Sequence, residues 1–185
     1  MGAAENLRQL FIEQILTSMS RDQPKPVILD ERHVDFIQRH VTINVSSRDA
    51  NNMPTLVRGF GCRVAESGQR VTVYVPQMSG QRLLQSLAGH GMIAVVCSRP
   101  STHEALQLKG VDAKVADLDA GDHQTVRNCF ESFLVELKTL GYSDHFVNAV
   151  RSLMDEGVVA VTFTPSAAFV QTPGPQAGQS LASAS

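Results

Sequence analysis

The chain has 185 residues, 43% of them hydrophobic, and 16 Lys and Arg against 18 Asp and Glu give a formal net charge of −2. Such a length suits one domain with short extensions, and such hydrophobicity excludes a disordered polymer. The near-neutral charge excludes a general nucleic-acid binder, whose affinity rests on many cations set against phosphates, but it permits a local basic pocket.

Leu7, Leu10, Phe11, Ile15 and Met19 recur at helical spacing, so residues 4–19 read as an amphipathic helix. This start is polar and carries no signal-peptide run, and no stretch approaches the roughly 20 apolar residues that cross a bilayer. A cytoplasmic protein without membrane association is the default expectation. Pro24 and Pro26 break the first helix, and Asp30 is placed to cap a short second one reaching about His40.

Residues 41–46 alternate apolar and polar and predict a half-buried strand. The Asp- and Asn-rich stretch 48–54 turns into a second strand over 55–66, and Ser67-Gly68 leads to a third over 70–75. Short turns between adjacent strands predict an antiparallel meander. Residues 80–90 read as a helix with Leu83, Leu84 and Leu87 on one face. The apolar run 92–97 predicts a central strand covered on both faces. A fifth strand starts near Glu104, and its apolar parity switches at Gly110, the mark of a bulge or sharp bend. A long helix from Asp122 to Leu140 buries Val126, Cys129, Phe130, Phe133, Leu134 and Leu137. A shorter helix over 143–154 precedes a sixth strand over 158–163, with a possible continuation over 167–171. The expected class is α+β, a six-stranded antiparallel split β-barrel with flanking helices. The expected divisions are an N-terminal helix and linker over 1–30, the barrel domain over 31–171 and a flexible tail over 172–185.

Four stretches are candidates for chemistry. Gln77, Ser79, Gln81 and Arg82 follow the third strand, with Ser79 at the expected N-cap of the next helix. A helix start offers free N–H groups to an anion, and a plain capped helix with a solvent-facing Arg82 is the competing account. Arg58 lies on an otherwise apolar strand face, so it needs an anionic partner or an exit to water. Gln107 and Lys109 share a face beside Gly110 and suit either the polar edge of a ring and a phosphate or plain solvent. Phe169–Pro175 ends in a stiff Pro-Gly-Pro that either folds over a pocket or closes the domain. The six histidines form no H-x-H or H-E-x-x-H pair, and Cys62, Cys97 and Cys129 form no zinc or disulfide framework. No metal site and no nucleophilic triad is therefore expected.

Residues 36–116 resemble the FMN-binding split barrel of the pyridoxamine 5′-phosphate oxidase-like superfamily. The carrying stretches are Val41–Ser46, Thr55–Arg63, Val71–Ser79, Gly91–Pro100 and Leu106–Gly110. The resemblance implies a homodimer with FMN at the subunit interface and an FMN-dependent oxidoreductase, with NADH or NADPH as a possible electron donor. It implies that Arg58 and Ser79 meet the phosphate, with Gln77, Gln81 and Arg82 beside them. It further implies that the backbone of Val73, Tyr74 and Val75 meets the isoalloxazine ring, and that Gln107 and Lys109 approach the flavin. The family's Ser-Arg-Lys cluster stands here as Ser79-Gly80-Gln81 with Arg82 one place later, and the Arg-x-His substrate segment is missing. Vitamin B6 oxidation is therefore not the expected reaction. The alternative within the same fold is a non-catalytic protein that binds flavin or haem for storage or sensing.

Overall fold

The computed structural model describes residues 26–181; the expected helix over 4–19 lies outside them. Asp30 caps the first described helix, α1 (Glu31–Gln38), by accepting the His33 N–H at 2.8 Å. Nine strands follow among the described residues: β1 (Thr42–Arg48), β2 (Pro54–Gly59), β3 (Gly61–Ala65), β4 (Arg70–Pro76), β5 (Ile93–Ser98), β6 (Ala105–Gly110), β7 (Lys114–Ala116), β8 (Val158–Phe163) and β9 (Ala167–Val170). Helix α2 (Gln81–His90) lies between β4 and β5, and α3 (Asp122–Thr139) and α4 (Asp144–Arg151) lie between β7 and β8.

The strands form two antiparallel sheets, one ordered β2-β1-β5-β6-β9 and the other β3-β4-β8-β7. The expected count of six strands is thus corrected to nine, and no closed barrel forms. The reason is local. Three of the six expected runs bend and pass from one sheet to the other, at Phe60, after Gly110 and at Thr164–Ser166. At Gly110, a Cβ would stand 2.6 Å from the Phe163 ring and 3.0 Å from the Thr164 carbonyl, so only glycine lets the two bends pack against each other. Gly59 and Gly61 flank the bend at Phe60 in the same way, a Cβ on either meeting Ile43 or Cys129 at 2.9 Å.

The interior between the sheets holds the main core: Ile43, Val45, Val71, Val73, Val75, Val95, Leu108, Val161 and Phe163, with Leu83 and Leu87 of α2 plugging one end. A second core lies on the other face of the four-stranded sheet, where Phe60, Tyr74 and Ala160 meet Val126, Phe130, Phe133, Leu134 and Leu137 of α3 and Val147 of α4. Strand β4 is therefore buried on both faces. The five-stranded sheet differs. Its inner face is core, whereas its outward side chains, including Asn44, Leu56, Arg58, Val96, Gln107, Lys109 and Phe169, are half-buried or exposed. The apolar run at β5 is central as expected; among the described residues its outward side chains Ala94 and Val96 are half-buried, and the second cover that the run predicts is not found among those residues.

Beyond β9 the chain folds back. The Gly178 N–H donates to the Val170 carbonyl at 2.8 Å, and the Leu181 N–H donates to Ala168 at 2.9 Å. Cys62 and Cys97 are buried and Cys129 is half-buried, all three free. Burial pushes the Cys97 thiol up to about 12 and the Cys62 thiol up as well, which removes both as nucleophiles at neutral pH.

Candidate functional site

The register of the five-stranded sheet brings three of the sequence candidates onto one open face. Arg58 pairs with Asn44, Asn44 with Val96, Val96 with Gln107 and Gln107 with Phe169, so these five residues form one row across all five strands. The neighbouring row on the same face is Leu56, Ser46, Ala94, Lys109 and Ala167. Strand spacing puts the Arg58 and Gln107 backbones about 14 Å apart, a span suited to a cofactor-sized ligand lying along the row. Lys109 holds its ammonium 5.0 Å from the Phe169 ring centre, and the Gln171 side chain donates to the Gln107 side-chain oxygen, Oε1, at 3.2 Å.

Arg58 is the charged residue of interest on this face. Its guanidinium lies 4.6 Å from the centre of the Phe133 ring, and it has no carboxylate partner among the described residues. Burial alone pulls its pKa down. A half-desolvated cation stacked on an aromatic ring, with its N–H donors unmatched by an anion, is suited to receiving a phosphate or carboxylate.

The residues after β4 are arranged differently from the sequence expectation. Gly80, not Ser79, is the N-cap of α2, and no side chain caps it. The turn is too tight for any other residue there, since a Cβ on Gly80 would lie 2.2 Å from the Pro76 carbonyl oxygen. Ser79 instead gives its hydroxyl to Glu156 Oε2 at 2.9 Å and its N–H to the same carboxylate. The Ser79 N–H bond is the main reason the Glu156 carboxyl sits below its ordinary value. The anion at this corner is thus the protein's own. Gln77 donates its N–H to the Gly157 carbonyl at 2.7 Å, and its side chain and that of Gln81 are exposed. Arg82 lines a separate cavity of about 280 Å³ with Asp49, Thr55 and His90. Thr55 faces inward while Arg58, three residues on, faces outward, so the two arginines border different spaces.

Val73, Tyr74 and Val75 sit in the middle of the four-stranded sheet, paired with β3 on one side and β8 on the other. Their backbone groups serve those ladders. Tyr74 also reveals a network that the sequence pattern did not signal. Its hydroxyl donates to Asp122 Oδ1 at 2.6 Å, Arg63 Nε reaches Asp122 at 3.1 Å and Tyr74 Oη at 3.3 Å, and Arg63 Nη2 meets Asp119 at 2.6 Å. The Asp119 N–H completes the shell of Asp122, which is 1% exposed. Burial by itself would raise the Asp122 pKa, but the Tyr74 hydroxyl, the Asp119 N–H and Arg63 outweigh it and hold the group below 3.8. Burial likewise drives the Tyr74 phenol well above its ordinary range. The network fastens the start of α3 to β3 and β4. Among the described residues no group of three or more His, Cys, Asp or Glu is arranged to hold a metal ion, and no helix is long and apolar enough to cross a membrane.

No family model and no curated protein matches this chain. Solved structures do. Group A Streptococcus HupZ superposes with a TM-score of 0.51 at 12% identity, over 82% of this chain and 100% of that one. A Clostridium acetobutylicum protein related to general stress protein 26, of the pyridoxinephosphate oxidase family, gives 0.43 at 11% identity over 71% and 80%. HutZ, the haem storage protein of Vibrio cholerae, gives 0.42 at 12% identity over 78% and 95%. The likeness is one of fold alone: the chain is an α+β protein of two antiparallel sheets with flanking helices, and it shares its fold with HupZ.

Proposed function

We propose that the chain is an FMN-binding oxidoreductase that works as a homodimer in the cytoplasm, with the open face of the five-stranded sheet forming both the subunit interface and the flavin site. The carrying observation is Arg58, a cation without an anionic partner among the described residues, on a sheet face that also exposes Leu56 and half-buries Val96 and Phe169. Arg58 would hold the phosphate. Gln107 and Lys109 would meet the polar edge of the ring along the same row, and Asn44 offers a further donor and acceptor between them. The isoalloxazine supplies hydride or electron transfer when bound, so the protein's part is binding, orientation and exclusion of water. NADH or NADPH is the proposed electron donor. Gln77, Ser79, Gln81 and Arg82 contribute on this reading only through the partner subunit or after Glu156 releases Ser79, whereas Val73–Val75 lie buried with their backbone in the β3 and β8 ladders and back the site from within the sheet.

The test is the visible spectrum of the purified protein, an FMN titration and the solution mass, followed by anaerobic addition of NADH or NADPH. A flavin spectrum, a dimer mass and bleaching by the nucleotide support the proposal. A monomer that fails to bind FMN overturns it. The second reading is a non-catalytic flavin- or haem-binding protein. The Glu156 carboxylate on Ser79 favours it, because that arrangement opposes a tightly held phosphate. Flavin that binds but resists reduction decides for this second reading.

A further inference from the structure

The described residues leave the main core open at one end. Strand β7 is the edge of the four-stranded sheet, and there Val115 stands opposite Val161. Residues directly opposite in an antiparallel pair share a face, so Val115 lies on the side of Val161, which is fully buried between the sheets. Val115 is nevertheless 52% exposed, and Val111, on the approach to β7, is 42% exposed. A groove of about 350 Å³ opens here between Leu87–Gly91, the last turn of α2 and its cap, and Val111–Val115. Its floor is fixed. The Ala113 N–H donates to the Gly91 carbonyl at 2.9 Å, and a Cβ on Gly91 would stand 2.8 Å from the Val111 carbonyl oxygen. One wall is held as well: His90 Nδ1 accepts the Met92 N–H at 3.0 Å, so Nε2 carries the proton and donates it to the Arg48 carbonyl at 2.6 Å. Above Gly89 the groove is open, since a Cβ there meets nothing within 4 Å. None of these residues belongs to the proposed flavin site.

The chain itself leads to this groove. The Val27 N–H donates to the Pro165 carbonyl at 2.7 Å, and the neighbouring Thr164 gives both its N–H and its hydroxyl to Asp112 at 2.8 Å. Asp112 is one of the groove residues. Residue 26, where the described chain begins, therefore stands beside the groove. Over 4–19 the sequence places Leu7, Leu10, Phe11, Ile15 and Met19 at helical spacing. A helix of that length reaches about 24 Å, and the link over 20–25 spans at most about 20 Å. An amphipathic stripe needs an apolar surface to pack on, and exposed valines at the end of a core need a cover. A short tether holds the two at roughly millimolar effective concentration, which favours the chain's own segment over a free partner.

We propose that residues 4–19 dock in this groove as an amphipathic helix, setting their apolar stripe against Leu87, Ala88, Val111 and Val115 and closing the open end of the main core. The docked segment fastens the end of α2 to the edge strand β7. This inference goes beyond the flavin reading and stands or falls separately from it.

Hydrogen exchange on the full chain, read by mass spectrometry, tests it. The amides of 4–19 should exchange at least roughly tenfold more slowly than in a synthetic peptide of the same residues, at a rate independent of protein concentration. Val115→Asp should return them to the peptide rate and leave the protection of β5 unchanged. Ala88→Arg, on the opposite wall, should do the same, and it takes the place of Val115→Asp if that variant's circular dichroism departs from the parent. Phe11→Asp should act in reverse and speed exchange over 111–115. Exchange of 4–19 at the peptide rate in the parent overturns the proposal, as does protection that survives both groove variants. Protection lost on dilution overturns it in favour of a second copy of the chain. Protection lost in Leu56→Asp but kept in Val115→Asp overturns it by placing the segment on the face of the five-stranded sheet. None of these measurements depends on FMN binding.

Discussion

Tyr74→Phe isolates one bond of the buried network at the start of α3. The substitution keeps the ring in its site under α3 and removes only the hydroxyl, which donates to Asp122 at 2.6 Å and accepts from Arg63 at 3.3 Å. Asp122 keeps its bonds to Arg63 and to the Asp119 N–H, so the carboxylate is weakened in its shell and not orphaned. A hydrogen bond to a charged group contributes about 1.5–3 kcal/mol, which places the loss near 2 kcal/mol. For a chain of this length, that lowers the melting temperature by roughly 4–8 °C. The sign with pH follows from Asp122. Its folded pKa lies below the ordinary 3.8, so its contribution is fully present above that value and is lost as pH falls through the depressed one. The gap between parent and variant should therefore be constant from pH 5 to 7 and shrink in stronger acid. Thermal melts at several pH values measure it. A variant that melts within a degree of the parent at pH 7 would refute the network as a fastening of α3.

Arg58→Ala should weaken FMN binding by about 1.5–3 kcal/mol, the range of a charge-assisted contact to phosphate, as read by fluorescence titration; equal affinity would leave Arg58 only as a cover for Phe133. Glu156→Gln removes the carboxylate that occupies Ser79 and should tighten FMN binding if Ser79 belongs to the phosphate site, whereas a Ser79 uninvolved in flavin predicts no change. Leu56→Asp introduces a charge at a side chain that is 71% exposed in one chain; it should convert a dimer to a monomer by light scattering without lowering the melting temperature of the monomer.

Much of the fold is legible because hydrophobic periodicity reports burial directly. The alternation at 41–46, the stripe of α3 and the Asp30 cap all appear where the pattern puts them. The strand count is harder to read, since a run such as 55–66 stays apolar while it changes sheets, and only the paired glycines at 59 and 61 mark the bend. The site was partly legible for the same reason. Arg58, Gln107 and Lys109 share a face through parity alone, which sequence carries. Ser79 and Glu156 are 77 positions apart, and their contact depends on how β8 follows α4, which local pattern does not carry. Asp122 was hidden in a different way: it reads as an ordinary residue near a helix start until its partner across the fold is in view.

A mismatch between pattern and burial at β5 is informative in itself. The run Met92–Cys97 is apolar at every position, the signature of a strand covered on both faces, yet Ala94 and Val96 point away from the core and are half-buried. A selected surface strand would place polar residues there, as β1 does at Thr42, Asn44 and Ser46. Apolar side chains at the centre of a sheet face that the described residues leave open cost solubility unless something covers them. Among the described residues, α3 and α4 pack on the other sheet, and Phe133 of α3 meets this face at its edge, at Arg58. A second copy of the same face would bring Val96 and Leu56 against their counterparts and enclose Arg58 at the rim. That enclosure would raise the cost of leaving the guanidinium without an anion, so dimer formation and phosphate binding at Arg58 should strengthen each other.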